Sequence, residues 1–453
     1  YTTGDIIGCS FDADAGELKF YKNNSLIYTV SSINEHDWMP ANSGYGTSNV
    51  NIVNFGQDSS FANNKTSGSA GATDSNSKGD FYYTPPSGFL ALCSANLPNP
   101  AIDPAVDQTP EDHFDTILYT GDGNSNQTIG STSPYILQFN PDFVWIKSRT
   151  SASGHHSLGN RVIGDFFMNS NQTVDEYSFS AFNFNTNNTI DVPVSGNDYS
   201  MNTSSQTYVA WNWLAGGSTS SNSDGTITSS VSANTKAGFS IVSYTGTGSG
   251  ATVGHGLSQA PEWILAKQRD ANSTDWYIYH SALGASAYIT LNGTAAAVTS
   301  SSDPWNATAP TNSVFSVSSA ASPSSSGTMI AYCFHSVDGY SKIGSYESNN
   351  NTNGPFVFTG FKPAFILMKD ADRAAMSWTM FDNKRNPLAG NPNDESLTPS
   401  GTAAEPYDSA SDIDFLSNGF KFRGGSSSWN NYLTETYIYI AFAEQPFKYS
   451  NSE

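Results

Sequence analysis

Apolar residues along this chain gather in short runs, rich in β-branched and aromatic side chains and bounded by Gly, Asn, Ser and Pro. Such runs predict β-strands with very little helix between them. Three times they recur in one order: an aromatic strand ending in Tyr, a Pro that opens an apolar run closed by Lys, and a second apolar strand centred on Ala. The first copy reads Phe114 to Tyr119, Pro141 to Lys147 and Tyr208-Val-Ala210-Trp-Asn-Trp213. The second reads Phe239 to Tyr244, Pro261 to Lys267 and Met329-Ile-Ala331-Tyr-Cys-Phe334. The third reads Tyr340 to Tyr346, Pro363 to Lys369 and Tyr439-Ile-Ala441-Phe442. Pro to Lys spans six residues in all three copies, and Pro to Ala spans 69, 70 and 78. Trp276 and Trp378 each stand fifteen residues after their Pro. His156-Ser-Leu-Gly159 and His280-Ser-Ala-Leu-Gly284 correspond loosely, and the third copy puts Asp382 there. A pattern repeated in this way predicts a duplicated domain, and duplicated β-domains in series build a surface rather than one catalytic pocket.

The fold class expected is all-β, with tandem antiparallel, jelly-roll-like β-sandwiches. Residues 1–95 read as one β-unit, 96–111 as a Pro-rich linker with four prolines between Pro98 and Pro110, and 112–215 as the first sandwich repeat. Residues 216–236 form a Gly/Ser/Thr-rich spacer, 237–338 the second repeat and 339–453 the third. No linker separates the second and third copies, so these two are expected to hold a fixed mutual geometry. Lys147, Lys267 and Lys369 should occupy equivalent strand ends, and Phe143, Trp263 and Phe365, each two residues after its Pro, should be core residues.

Composition narrows the function. Charged residues make up 13% of the 453, aromatics another 13%, which describes a packed β-protein with neutral polar loops. The chain carries 19 basic and 40 acidic residues, a net charge of −21, so it has no basic stripe for nucleic acid. Cys9, Cys93 and Cys333 are too few for a disulfide framework and read as buried thiols, which suits folding in a reducing cytosol. No run approaches the length of a membrane span, so no membrane insertion is expected. The start, Tyr1-Thr-Thr-Gly-Asp5, reads as the interior of a domain, with the true N-terminus missing.

Catalytic and metal patterns are incomplete. The chain has no Gly-x-Ser-x-Gly elbow, no P-loop and no His-Glu-x-x-His. Asp122-Gly-Asn124-Ser-Asn126 matches the start of a Ca²⁺ loop, but Gln127 replaces its Gly and Ser133 its final Glu, so an Asx-rich turn is expected. Asp12-Ala-Asp14-Ala-Gly16 reads as a hairpin turn, His155-His156 as a surface or strand-end pair, and Glu111-Asp112-His113 as a solvated cluster. No catalytic residue, cofactor or metal ligand is assigned. Trp38, Trp305 and Trp429 lie in loop-like surroundings without a counterpart in every copy, and are the candidates for stacking on the face of a sugar.

The N-terminal residues carry a resemblance. Gly4-Asp-Ile-Ile-Gly-Cys9, the acidic turn into Leu18-Lys-Phe-Tyr21, Val53-Asn-Phe-Gly56 and Pro85-Pro-Ser-Gly-Phe89 resemble the C-terminal half of a SPRY domain. That resemblance implies a β-sandwich that binds partners through loops. With the tandem copies and the ending Tyr439-Ile-Ala-Phe-Ala-Glu-Gln-Pro-Phe-Lys-Tyr449, the whole is similar to structural proteins of marine tailed bacteriophages. The function implied is a non-enzymatic virion surface protein, a tail fibre, spike or appendage component. Its expected partners are other virion proteins and host cell-surface glycan, and its expected state is a homo-oligomer. A purely structural capsid decoration protein is the alternative, and a glycan-degrading tailspike the more distant one.

Overall fold

The computed structural model describes residues 2–33, 40, 51–66, 71–106, 108–195, 199–300, 304–318, 326–386, 390–405, 412–423, 431–432 and 434–450. The chain divides into two compact units, Tyr1–Asn99 and Pro100–Glu453. In the first, Ile7–Asp12, Glu17–Lys22 and Ser25–Val30 form an antiparallel meander. Its first turn is the expected hairpin: Asp12 accepts a hydrogen bond from the Ala15 amide at 2.9 Å, and Gly16 sits at φ +62°. Ile7, Phe11, Leu26, Ile27 and Tyr28 of this meander are exposed. Cys9 is exposed, Cys93 partly so, and only Cys333 is buried, which corrects the reading of three buried thiols.

The second unit contains three sandwiches with one strand order. In each, the strand ending in Tyr pairs with the closing strand, which pairs with the Pro-led strand, which pairs with the strand after it. The first has Phe114–Thr120, Thr207–Trp213, Phe143–Ser148 and Ser157–Asn160 side by side. The second has Phe239–Thr245, Thr328–Phe334, Trp263–Gln268 and Tyr277–His280, and the third Ser341–Glu347, Thr436–Pro446, Phe361–Asp370 and Thr379–Asp382. A smaller sheet covers one face of each: Asn126–Ile129 with Ile190–Pro193 and Asn183–Phe184, Ala251–Gly254 with Val314–Val317, and Phe356–Phe358 with Gly419–Phe422 and Ile413–Leu416.

Both faces of the large sheets are buried, and this sets the architecture. Side chains alternate across a strand, so Val144, Ile146 and Ala210 face the interior of the first sandwich while Phe143, Trp145, Trp211 and Trp213 face away from it. The outward residues of all three copies merge into a single core that includes Phe143, Trp263, Phe365, Trp213, Phe334 and Phe442. Three backbone bonds mark the seams: Glu176 N–H to Arg269 O at 2.8 Å, Ala297 N–H to Ala371 O at 2.7 Å, and Glu405 N–H to Arg149 O at 2.8 Å. Each acceptor lies two residues after the repeated Lys. The bonds run from first copy to second, second to third and third to first, so the sandwiches close into a ring about the shared core.

Register corrects several expectations. Tyr119, Tyr244 and Tyr346 do align, opposite Tyr208, Met329 and Tyr437. In the third copy, however, Tyr439 rather than Ala441 stands where Ala210 and Ala331 stand, because Phe365 pairs with Phe442 as Phe143 pairs with Trp213. Asn160, not His156, is the counterpart of His280 and Asp382, each lying opposite the residue two after Pro. The 216–236 spacer contains two strands: Ser220–Asn222 and Ser229–Asn234 pair in turn and extend the second large sheet. The Pro-rich segment is not a free linker from Pro100 onward. Ile102 is fully buried in the shared core, Asp103 accepts a hydrogen bond from the Tyr449 hydroxyl at 2.6 Å, and Pro110 is buried at the start of a short 3₁₀ turn.

Candidate functional site

Of the three aromatics read as sugar platforms, Trp38 and Trp429 lie outside the described residues. Trp305 is 1% exposed and meets Tyr279 edge-on at 6.0 Å inside the second sandwich, so it offers no face to a ligand. The turn at 304–307 folds it inward, with Asn306 and Ala307 both at positive φ.

The polar candidates hold structure together. Asp122 accepts from the Asn124 amide at 2.8 Å and from Asn202 Nδ2 at 2.8 Å, which makes the expected Asx turn and pins it to a neighbouring loop. These bonds, the Asn202 side chain foremost, hold its carboxyl below the ordinary range. His155 stacks on Tyr199 and His156 is fully buried, so the pair stands at the end of the strand Ser157–Asn160 rather than on the surface. Trp145 Nε1–H donates to His156 Nδ1 at 2.9 Å, which leaves the proton on Nε2. At the same place in the other copies Trp276 Nε1–H donates to Asn169 O at 2.7 Å and Trp378 Nε1–H to Thr290 O at 2.8 Å. Glu111-Asp112-His113 is likewise not a solvated cluster: Glu111 meets Lys384 at 3.4 Å, Asp112 caps Thr109, and His113 is buried. Among the described residues no group of three or more His, Cys, Asp or Glu is placed to hold a metal ion. Lys147, Lys267 and Lys369 do occupy equivalent positions, opposite Val209, Ile330 and Ile438, and all three are buried. Their ammonium groups donate to the backbone carbonyls of Ser148, Thr274 and Asp370, and burial draws each down to about 8.

An open cleft of about 680 Å³ lies where the inserted strand Ser229–Asn234 passes the first sandwich. Asp142, Arg161, His113, Asn234, Lys236 and Gln108 stand on its wall. Asp142 accepts from Arg161 Nε at 2.9 Å, Ala215 N–H at 2.9 Å and Gly217 N–H at 3.0 Å. Arg161 also donates to the carbonyls of Phe184 and Pro141. His113 lies 3.0 Å from the Asn234 amide through Nδ1, and burial, with Lys236 nearby, lowers it to about 4, so it is neutral at pH 7. This wall offers donors to a polar ligand. It brings no nucleophile together with a base, because Asp142 is held by Arg161 and two amides and His113 by Asn234.

The family described as Domain of unknown function (DUF7483) matches residues 109–446. The chain belongs to the DUF7483 family. No curated protein and no solved structure matches it. The matched span takes in all three sandwiches, so the DUF7483 unit is the whole ring rather than one repeat.

The seam between the third and first copies of the DUF7483 ring holds a cluster of charged side chains. Arg385 is wholly buried and donates to Asp382 at 2.5 Å, Glu405 at 2.5 Å and the Met380 carbonyl at 3.0 Å. Arg149 reaches Glu405 at 2.7 Å and the Arg385 carbonyl at 3.3 Å, and Trp211 Nε1–H donates to Asp382 at 2.9 Å. Burial first, then the nearby Glu405 charge, raises Glu395 to about 7. Arg385 gathers its partners within the third copy, and Arg149 and Trp211 bond that cluster from the first copy, which ties the two copies together. Sequence reasoning missed it because Arg149 and Glu405 are 256 residues apart.

Proposed function

We propose that this DUF7483 protein is a non-enzymatic virion surface protein of a tailed bacteriophage: a tail fibre, spike or appendage component that contacts host surface polysaccharide and other virion proteins, acting as a homo-oligomer. The observation that carries the reading is the closed ring. Buried polar groups tie its copies together at the seams, and the cleft beside the first sandwich brings no nucleophile to a base, which is the economy of a rigid presenting scaffold rather than of an enzyme. The resemblance of the N-terminal residues to a partner-binding module points the same way.

Fluorescently labelled protein, presented as a multimer so that weak contacts add, should stain susceptible bacterial cells and release no reducing sugar from their polysaccharide. Antibodies should locate it on the tail. Labelling of the capsid with no cell staining would favour the decoration protein, a reading to which the burial of Trp305 lends weight by removing one aromatic platform. Release of reducing sugar would instead establish a glycan-degrading tailspike.

A further inference from the structure

We infer that the open edge of the third sandwich, at Phe356 and Phe358, is a binding platform for a neutral saccharide. The inference deepens the glycan-contact reading and rests on it for the ligand class. Phe356 and Phe358 are 45% and 52% exposed, and among the described residues of the second unit no other aromatic side chain is comparably open. The strand they belong to, Phe356–Phe358, is the edge of its three-stranded sheet. Val357 points inward to Phe420, so the two Phe rings share the outer face, about 6.5–7 Å apart along the strand.

The duplicated frame supplies an internal comparison. Ile129 opposite Ile190, Val253 opposite Phe315 and Val357 opposite Phe420 are the same buried pair in the three copies. The residues flanking the first of each pair are Thr128 and Gly130, then Thr252 and Gly254, and only in the third copy Phe356 and Phe358. The fold therefore does not need aromatics there. Opposite Phe358 stands Gly419, where an added Cβ would come within 3.1 Å of the Phe356 ring, so that ring lies against the bare backbone of the neighbouring strand. Opposite Phe356 stands Lys421, whose ammonium donates to Gly354 O at 2.7 Å.

Backbone groups complete the platform. Phe422 N–H bonds Pro355 O at 3.2 Å and Thr359 N–H bonds Asn418 O at 3.0 Å. In an antiparallel pair this alternation turns the amides and carbonyls of Phe356 and Phe358 toward the open edge. Apolar rings beside backbone donors and acceptors that, among the described residues, face the open edge suit a ligand with C–H faces and hydroxyl rims, which is a pyranose chain. The protein's charge of −21 opposes a polyanionic glycan. A three-residue edge also offers few hydrogen bonds to an added peptide strand.

Affinity electrophoresis of the whole chain through gels containing dextran, laminarin, galactomannan or alginate tests the inference, with a parallel run of the F356A/F358A double variant, the F358W variant and a cell-staining assay. At least one neutral polymer should retard the wild type, F356A/F358A should weaken that retardation roughly tenfold or more with an unchanged melting temperature, and F358W should retain it. Alginate should have no effect. Absence of retardation in every neutral gel, equal retardation of the double variant, or a concentration-dependent dimer abolished by the double variant would each overturn the inference. Wild-type staining that persists in F356A/F358A would remove this site while leaving the adhesin reading intact, whereas failure of the wild type to stain at all would remove that reading.

Discussion

Phe143, Trp263 and Phe365 show why single residues matter in this ring. They are 3%, 2% and 1% exposed, and each reaches a different seam or its neighbour: Phe143 lies 4.4 Å from Tyr332, Trp263 5.7 Å from Trp378 and Phe365 5.6 Å from Phe114. Replacing any of them by Ala should cost about 3–5 kcal/mol, measured by chemical denaturation; a loss within about 0.5 kcal/mol, the range of surface changes, would place the ring outside the core. The buried histidines add a pH dependence. Burial lowers His113 and His280 to about 4, below the ordinary value near 6.5, and His156 and His255 shift the same way. Unfolding therefore takes up protons between about 6.5 and 4, so these groups make stability fall as pH drops through that window. Asp115 and Glu395, raised to about 7 by burial, act oppositely, since unfolding releases their protons between roughly 4 and 7, and Asp142, also raised by burial, acts in the same sense. The four histidines outnumber the three acids, and the melting temperature should fall from pH 7 to pH 5. His280→Asn, the residue that the first copy carries at Asn160, removes one of the four. It should flatten that fall, and an unchanged slope in thermal scans would show that His280 does not titrate on unfolding.

At the scale of elements, Ile102→Ala separates a packed segment from a linker. It should cost about 2–5 kcal/mol, because Ile102 is fully buried in the shared core; a change near zero in denaturant titration would restore the linker reading. The strands themselves were legible: six residues from Pro to Lys and a Tyr at the end of each opening strand reproduce the observed register in all three copies. What lay beyond reach has physical causes. A two-residue slip keeps every side chain on its face, so the apolar pattern around Ala441 could not reveal that Tyr439 is the true counterpart of Ala210. Ser and Thr serve strands as readily as loops, which hid Ser229–Asn234 inside an apparent spacer. Trp305 sits between Pro304 and Asn306, so its flanks read as a loop although its ring is core. One signal was present and went unread. Phe143–Ser148 and Trp263–Gln268 show no polar alternation, and strands of that kind are covered on both faces. The exposed pair Phe356 and Phe358 was equally visible as a Phe-Val-Phe triplet, but only the sheet order makes it an edge.

At the scale of the whole molecule, the ring changes what a domain means in this chain. Each sandwich has its own interior, yet its large sheet also contributes one apolar face to the core shared by all three. Removing one copy would uncover, in the second sandwich alone, Phe239, Trp263, Trp276, Tyr332 and Phe334, a contiguous apolar face of the sort that soluble monomers rarely expose. The three seams are alike in their backbone bond but not in their charge: Arg269–Glu176 and Arg149–Glu405 ion pairs reinforce two of them, whereas Ala371 and Ala297 meet at the third. The ring should therefore unfold as one cooperative unit, with a calorimetric enthalpy equal to the van't Hoff enthalpy across residues 100–453. An isolated second sandwich, residues 237–338, should aggregate or assemble through its bare face instead of persisting as a monomer. Light scattering after size exclusion decides the matter: a monodisperse monomer melting at the temperature of the whole ring would show that the sandwiches are independent and that the shared core contributes little to their stability.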